Sequence, residues 1–155
     1  MFIFTLIRKF IVTIIIFAAG LVAGGYVMSK VQPREVIDVP NCKIDCIKPN
    51  ELLGLLGSIG VQYAPKVIPG IIMETDKTVV IDQPTSSEPI HYVIIPKKDI
   101  KNIAELAPGD EAYIQDAVEV IGRLVREKNL KNFKVVTNGP GYQTVAYLHF
   151  HLTGK

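Results

Sequence analysis

The chain has 155 residues, 48% of them hydrophobic, and a formal net charge of +2. A chain of that length holds one compact domain. So small an excess of charge, with no long basic run, argues against a nucleic-acid surface, so no nucleic-acid partner is expected.

The N-terminus is the first feature. Residues 10–28 carry no charge, with Arg8 and Lys9 before them and Lys30 and Arg34 after. At about 1.5 Å per residue a helix over this run matches the thickness of a bilayer core. A cleaved signal peptide also has a basic start and an apolar run, but its run is usually shorter, about 7–15 residues. The reading favoured is an uncleaved single-pass anchor over residues 1–30, placing the chain at a membrane. Arg8 and Lys9 on one side nearly balance Lys30, Arg34 and Lys43 on the other, so the side holding the rest of the chain stays open.

Residues 31–50 contain Pro33 and Pro40 and read as a juxtamembrane linker. Cys42 and Cys46 lie in this stretch. They can pair in an oxidising compartment, or stay free or ligate a metal in a reducing one. Residues 51–155 form the remaining domain. Its first segment, residues 51–63, has leucines at helical spacing but also Gly54, Gly57 and Gly60. Three glycines weaken a helix, or let it approach a neighbour very closely. Pro65 and Pro69 mark a turn over 64–70. Strands follow at 71–73 and 78–81 around a turn at 74–77, then a loop at 84–89, a strand at 91–96 and a short helical turn at 100–106.

Asp110 is placed to cap a helix running to about residue 129, with Ile114, Ala117, Val118, Ile121, Leu124 and Val125 as its apolar stripe. A strand at 133–137 leads to the turn Asn138-Gly139-Pro140-Gly141. Strict alternation from 145 to 152 predicts a last strand, with Tyr147, His149 and His151 on one face and Leu148, Phe150 and Leu152 on the other. The fold class is α+β, an antiparallel meander with one long helix.

Residues 71–154 resemble the histidine triad (HIT) nucleotide-binding family. Three pieces carry the resemblance in the family's order: the segment 73–82 around Glu74-Thr75-Asp76-Lys77, the segment 91–98 (His91-Tyr92-Val93-Ile94-Ile95-Pro96-Lys97-Lys98), and Val135-Val136-Thr137-Asn138-Gly139 with Gly141-Tyr142-Gln143-Thr144-Val145 running into the histidine strand. The family alternates His-x-His-x-His. Here Tyr147 stands at the first position, followed by His149 and His151.

The resemblance implies a hydrolase of nucleoside phosphoramidates or related nucleotide conjugates, with a purine base. His149 corresponds to the nucleophile that attacks the α-phosphate and gives a nucleotidyl-histidine, which water then hydrolyses. A nearby main-chain carbonyl would hold its other ring nitrogen. His151 would donate to a phosphate oxygen or protonate the leaving group. Gln143, Thr144 and the backbone N–H groups of the turn would cradle the phosphate. Asn138, or Thr137 if the turn is one residue shorter, is the phosphate-contacting candidate, and Asp82 the ribose-binding one. Tyr147 would orient the catalytic imidazole or fill the volume of the missing histidine. His91 is a binding-site candidate whose simpler role is structural hydrogen bonding. Lys97 and Lys98 are either steering groups or a solvated strand end. No metal or other cofactor is required. Family members often form homodimers through the long helix, which the stripe permits.

Two other functions fit the same residues. Tyr147 motivates a non-catalytic purine nucleotide-binding module. A zinc-stabilised interaction domain would draw on His91, His149, His151, Cys42 and Cys46.

Overall fold

The computed structural model describes residues 2–40, 42, 46–83 and 90–154. The chain divides into two units, Met1–Val31 and Gln32–Lys155. The expected loop at 84–89 lies outside the described residues, as does Lys43.

The first unit is helix α1, Phe2–Met28. Within it Leu6–Met28 has a mean hydropathy of 2.3 and is long and apolar enough to cross a membrane. A signal sequence meets the same criterion. The helix satisfies its own backbone, and Thr13 turns its hydroxyl inward to donate to Lys9 O at 3.0 Å.

In the second unit, the stretch expected to be a linker is folded. Lys48 N donates to Val36 O at 2.9 Å and Asp38 N to Cys46 O at 2.7 Å. Ile37 and Ile47 form an antiparallel bridge, and a disulfide joins Cys42 to Cys46. This small hairpin leads straight into α2, Pro49–Tyr63. Pro49 opens the helix, where a missing N–H costs nothing. The three glycines do not break the helix, and one of them serves close approach. Gly54 is buried, and a Cβ there would meet the carbonyl oxygen of Ala146 and the Arg34 guanidinium, each at 2.5 Å.

Five strands follow: β1 Ile71–Glu74, β2 Thr78–Asp82, β3 Ile90–Pro96, β4 Phe133–Val136 and β5 Phe150–Gly154. They form one antiparallel sheet in the order β1-β2-β3-β5-β4. Gly70 enters β1 at φ 79°, a conformation that favours glycine. Thr75 closes the β1–β2 turn by accepting from Thr78 N at 2.9 Å, and donates to Asp116 at 2.6 Å, tying the hairpin to α3, Glu111–Glu127. Lys97 pairs with Glu74 at 2.6 Å and Lys98 with Asp110, so both lysines are held at the strand end.

Alternation along the strands sorts the two faces of the sheet. Val80, Tyr92, Ile94, Phe150 and Leu152 pack with Ala117, Val120, Ile121 and Leu124 of α3 into the main core. Ile81, Val93, Ile95 and His151 turn to the opposite face, where they line a cavity together with Gly57 and Val61 of α2.

Three sequence expectations shift. On α3 the buried stripe includes Val120, while Val118 is 55% exposed. Positions 117, 120, 121 and 124 follow the i, i+3, i+4, i+7 spacing, which leaves 118 on the flank. Asp110 precedes α3 but its side chain accepts from Ala107 N at 2.9 Å, closing the preceding turn instead of capping the helix. The final strand is shorter than its alternation suggests: the ladder begins at Phe150. Before it, Ala146 N donates to Asn50 O at 3.0 Å and Leu148 N to Ile100 O at 2.6 Å, so these backbone groups serve other elements.

Candidate active site

A cavity of about 400 Å³ lies between the sheet face opposite α3 and helix α2. Tyr147, His149 and His151 all line it, as the alternation required, although only His151 stands on a regular strand.

His149 is oriented from behind. Its Nδ1 lies 2.7 Å from the carbonyl oxygen of Tyr147. A carbonyl only accepts, so Nδ1 carries the hydrogen, and the neutral ring keeps its lone pair on Nε2. The strand-leading loop thus supplies the acceptor from two residues upstream.

His151 is the more constrained ring. Its Nδ1 lies 2.9 Å from His91 Nε2, and its centroid lies 4.8 Å from that of His149, edge to face. Burial pushes its pKa from 6.5 down to about 4, helped by His149 and then His91, so it is neutral at pH 7. His91 Nδ1 is buried without a hydrogen-bond partner. A buried acceptor without a partner costs less than a buried N–H without one. The favoured arrangement has His91 Nε2–H donating to His151 Nδ1, leaving the His151 Nε2–H to donate elsewhere. His91 therefore serves His151 and does not line the cavity.

Tyr147 is 3% exposed, and its hydroxyl donates to Pro96 O at 2.7 Å. Burial, first, and the nearby Asp99 raise its pKa, so it stays protonated. Its hydroxyl is committed to Pro96 O and does not orient His149. The residue acts on His149 through its main-chain carbonyl.

The remaining candidates separate. Asn138 and Thr144 line the cavity, and Thr137 does not. Gln143 is a correction: it is 8% exposed and its amide donates to Lys101 O at 3.0 Å, so it braces the loop away from the cavity. The backbone N–H groups of Tyr142 and Gln143 bond to Gly139 O, and those of Ala146, Tyr147 and Leu148 are also taken. Of the residues expected to cradle the phosphate, Asn138 and Thr144 stand on the cavity wall. Asp82 is a second correction, because it is exposed and faces away, while Gln83, one residue on, lines the cavity beside Ile81. The period-2 parity shared by Ile81 and Gln83 was the available signal.

Cys42 and Cys46 are joined to each other and present no thiolate for a metal. Among the described residues no cluster of three or more His, Cys, Asp or Glu side chains is arranged to hold a metal ion.

Sequence reading missed a buried charged group beside the site. Arg34 pairs with Asp99 and with Glu51, and donates to Ala146 O. Burial pushes the Asp99 carboxyl up, against the lowering pull of Gln32 N–H, Arg34 and Ser58. Nothing in a proline-flanked polar stretch marks one arginine as buried.

Residues 62–155 match the family model described as scavenger mRNA decapping enzyme C-term binding. An uncharacterized HIT-like protein of Chlamydia muridarum is 31% identical over 86 residues, covering 54% of this chain and 68% of that protein. An adenosine 5'-monophosphoramidase of Danio rerio is 28% identical over 85 residues, 53% of each chain. Among solved structures, a HIT family hydrolase from Clostridium thermocellum superposes with a TM-score of 0.56 at 24% identity, covering 63% of this chain and 89% of that one. One from Legionella pneumophila gives 0.55 at 25% identity, covering 61% and 88%. With the family model spanning well over half the chain and the five-stranded fold shared, the chain belongs to the histidine triad (HIT) family.

Proposed function

We propose that the chain is a HIT-type nucleotide hydrolase of the phosphoramidase kind, held at a membrane by α1. The observation that carries this is the 2.7 Å contact from His149 Nδ1 to Tyr147 O, with the ring on the cavity wall. It presents an unprotonated Nε2 as nucleophile.

In the first step His149 Nε2 bonds to the α-phosphorus and the bond from phosphorus to the leaving nitrogen breaks. Its electron pair stays on the amine, which takes a proton from solvent at the cavity mouth. A neutral imidazole N–H is a poor acid, so the depressed pKa of His151 fits a hydrogen bond to a phosphate oxygen better than protonation of the leaving group. Asn138 and Thr144 supply further polar contacts. Water then attacks phosphorus, the bond to Nε2 breaks, and the free imidazole and a nucleoside monophosphate result. The apolar wall of Ile81, Val93 and Val61 suits the flat face of a base.

The test is hydrolysis of a fluorogenic adenosine phosphoramidate by the full chain in detergent, with chelator present. Turnover is expected to persist with chelator and to fall about a thousandfold or more in His149→Ala. A folded chain that binds adenosine monophosphate with no turnover would instead support a binding module. That second reading draws on Tyr147, whose hydroxyl is committed to Pro96 O.

A further inference from the structure

We propose that Arg34 is a positioning residue for His149, acting through a clamp on the peptide of Ala146. The inference rests on the reading of His149 as the nucleophile. Ala146 is gripped on both sides. Its carbonyl oxygen accepts from Arg34 Nη1, and its N–H donates to Asn50 O at 3.0 Å. Arg34 precedes and Asn50 follows the hairpin closed by the Ile37–Ile47 bridge and the Cys42–Cys46 disulfide, Asn50 standing in the first turn of α2. The next residue in the chain is Tyr147, whose carbonyl fixes the His149 ring. The clamp therefore sits one peptide from the group that sets the nucleophile's tautomer.

The grip is built, not incidental. The Arg34 side chain is 2% exposed and that of Asp99 1%, and Asp99 is also held by Gln32 N at 2.7 Å. The planar guanidinium spans both partners, Nη2 on Asp99 and Nη1 on Ala146 O. A lysine ammonium has no such fork. Helix α2 is glycine where it crosses this contact: a Cβ at Gly54 would lie 2.5 Å from both Ala146 O and Arg34 Nη1. The family match begins at residue 62, so Arg34, Asn50 and Gly54 all come from sequence outside it.

The experiment uses full-length protein in detergent, with Arg34→Lys and Gly54→Ala beside the wild type. Arg34→Lys keeps a cation against Asp99, and Gly54→Ala keeps every polar group while displacing the contact. Two readouts are taken: kcat and KM on the adenosine phosphoramidate, and the ¹⁵N shifts of the His149 ring, which report its tautomer. Both variants are expected to lose kcat by about tenfold or more, with KM within about twofold, because a misplaced nucleophile loses rate rather than binding. The ring should pass from a single Nδ1–H form to a mixture. Variants that melt cooperatively yet keep wild-type kcat and ring shifts would overturn the proposal. If Arg34→Lys does not fold, Gly54→Ala decides by the same readouts. A wild type without turnover would sink the hydrolase reading alone, since the ring shifts still decide the role of Arg34.

Discussion

Tyr147 separates two tasks that one residue performs. Its hydroxyl satisfies the carbonyl of Pro96, a buried residue, and its own carbonyl holds His149. Tyr147→Phe leaves the Pro96 oxygen without a donor, at a cost of about 1–3 kcal/mol, yet keeps the main-chain acceptor. A lowered denaturation midpoint with kcat nearly unchanged is the expected pair of results, and a collapse of kcat in a folded variant would assign the hydroxyl a chemical task. His151 makes a second residue-level prediction. Its pKa drops from 6.5 to about 4 on folding. Between those values the unfolded chain binds a proton that the folded chain refuses, so stability falls as pH is lowered from about 6.5 toward about 4. Urea midpoints measured across that window should decline with acid, and His151→Asn should flatten the decline.

Among the elements, α3 shows how far periodicity reaches. Its existence and most of its stripe were legible, because four core positions repeat at helical spacing. Val118 was assigned inward because it is apolar and adjacent to Ala117, while the geometry admits Val120 in its place. Leu124→Ala should cost about 2–5 kcal/mol. Val118→Ala should stay within about 0.5 kcal/mol, measured by chemical denaturation. Equal effects would contradict the assignment. The histidine face was legible for a related reason, since alternation sorts side chains even where the ladder has not begun. Gln143 was not, because a long-range brace to Lys101 leaves no local pattern; Gln83 shares the parity of Ile81 but lies one residue beyond the carboxylate that the resemblance singled out. Gly54 was visible only as a tolerance for close approach; its partners, Ala146 and Arg34, come from distant sequence.

At the scale of the molecule, the apolar Leu6–Met28 segment and the folded unit that follows invite a division of labour. Under the anchor proposal the protein stays with the membrane pellet after alkaline carbonate extraction, and its mass retains Met1–Val31. A mature chain lacking that segment would identify a signal sequence. The disulfide gives an independent check on the compartment: thiol alkylation at Cys42 and Cys46 should require prior reduction.

Strand β4 closes one side of the sheet with all four residues exposed, Phe133, Val135 and Val136 among them at 42–48%. Its outer backbone row faces no further strand among the described residues. An open, apolar edge is adhesive toward any strand of matching length. Concentration therefore becomes a variable of the protein's behaviour. Light scattering should show attraction between copies that grows with concentration, and a lysine at position 135 should turn that attraction into repulsion.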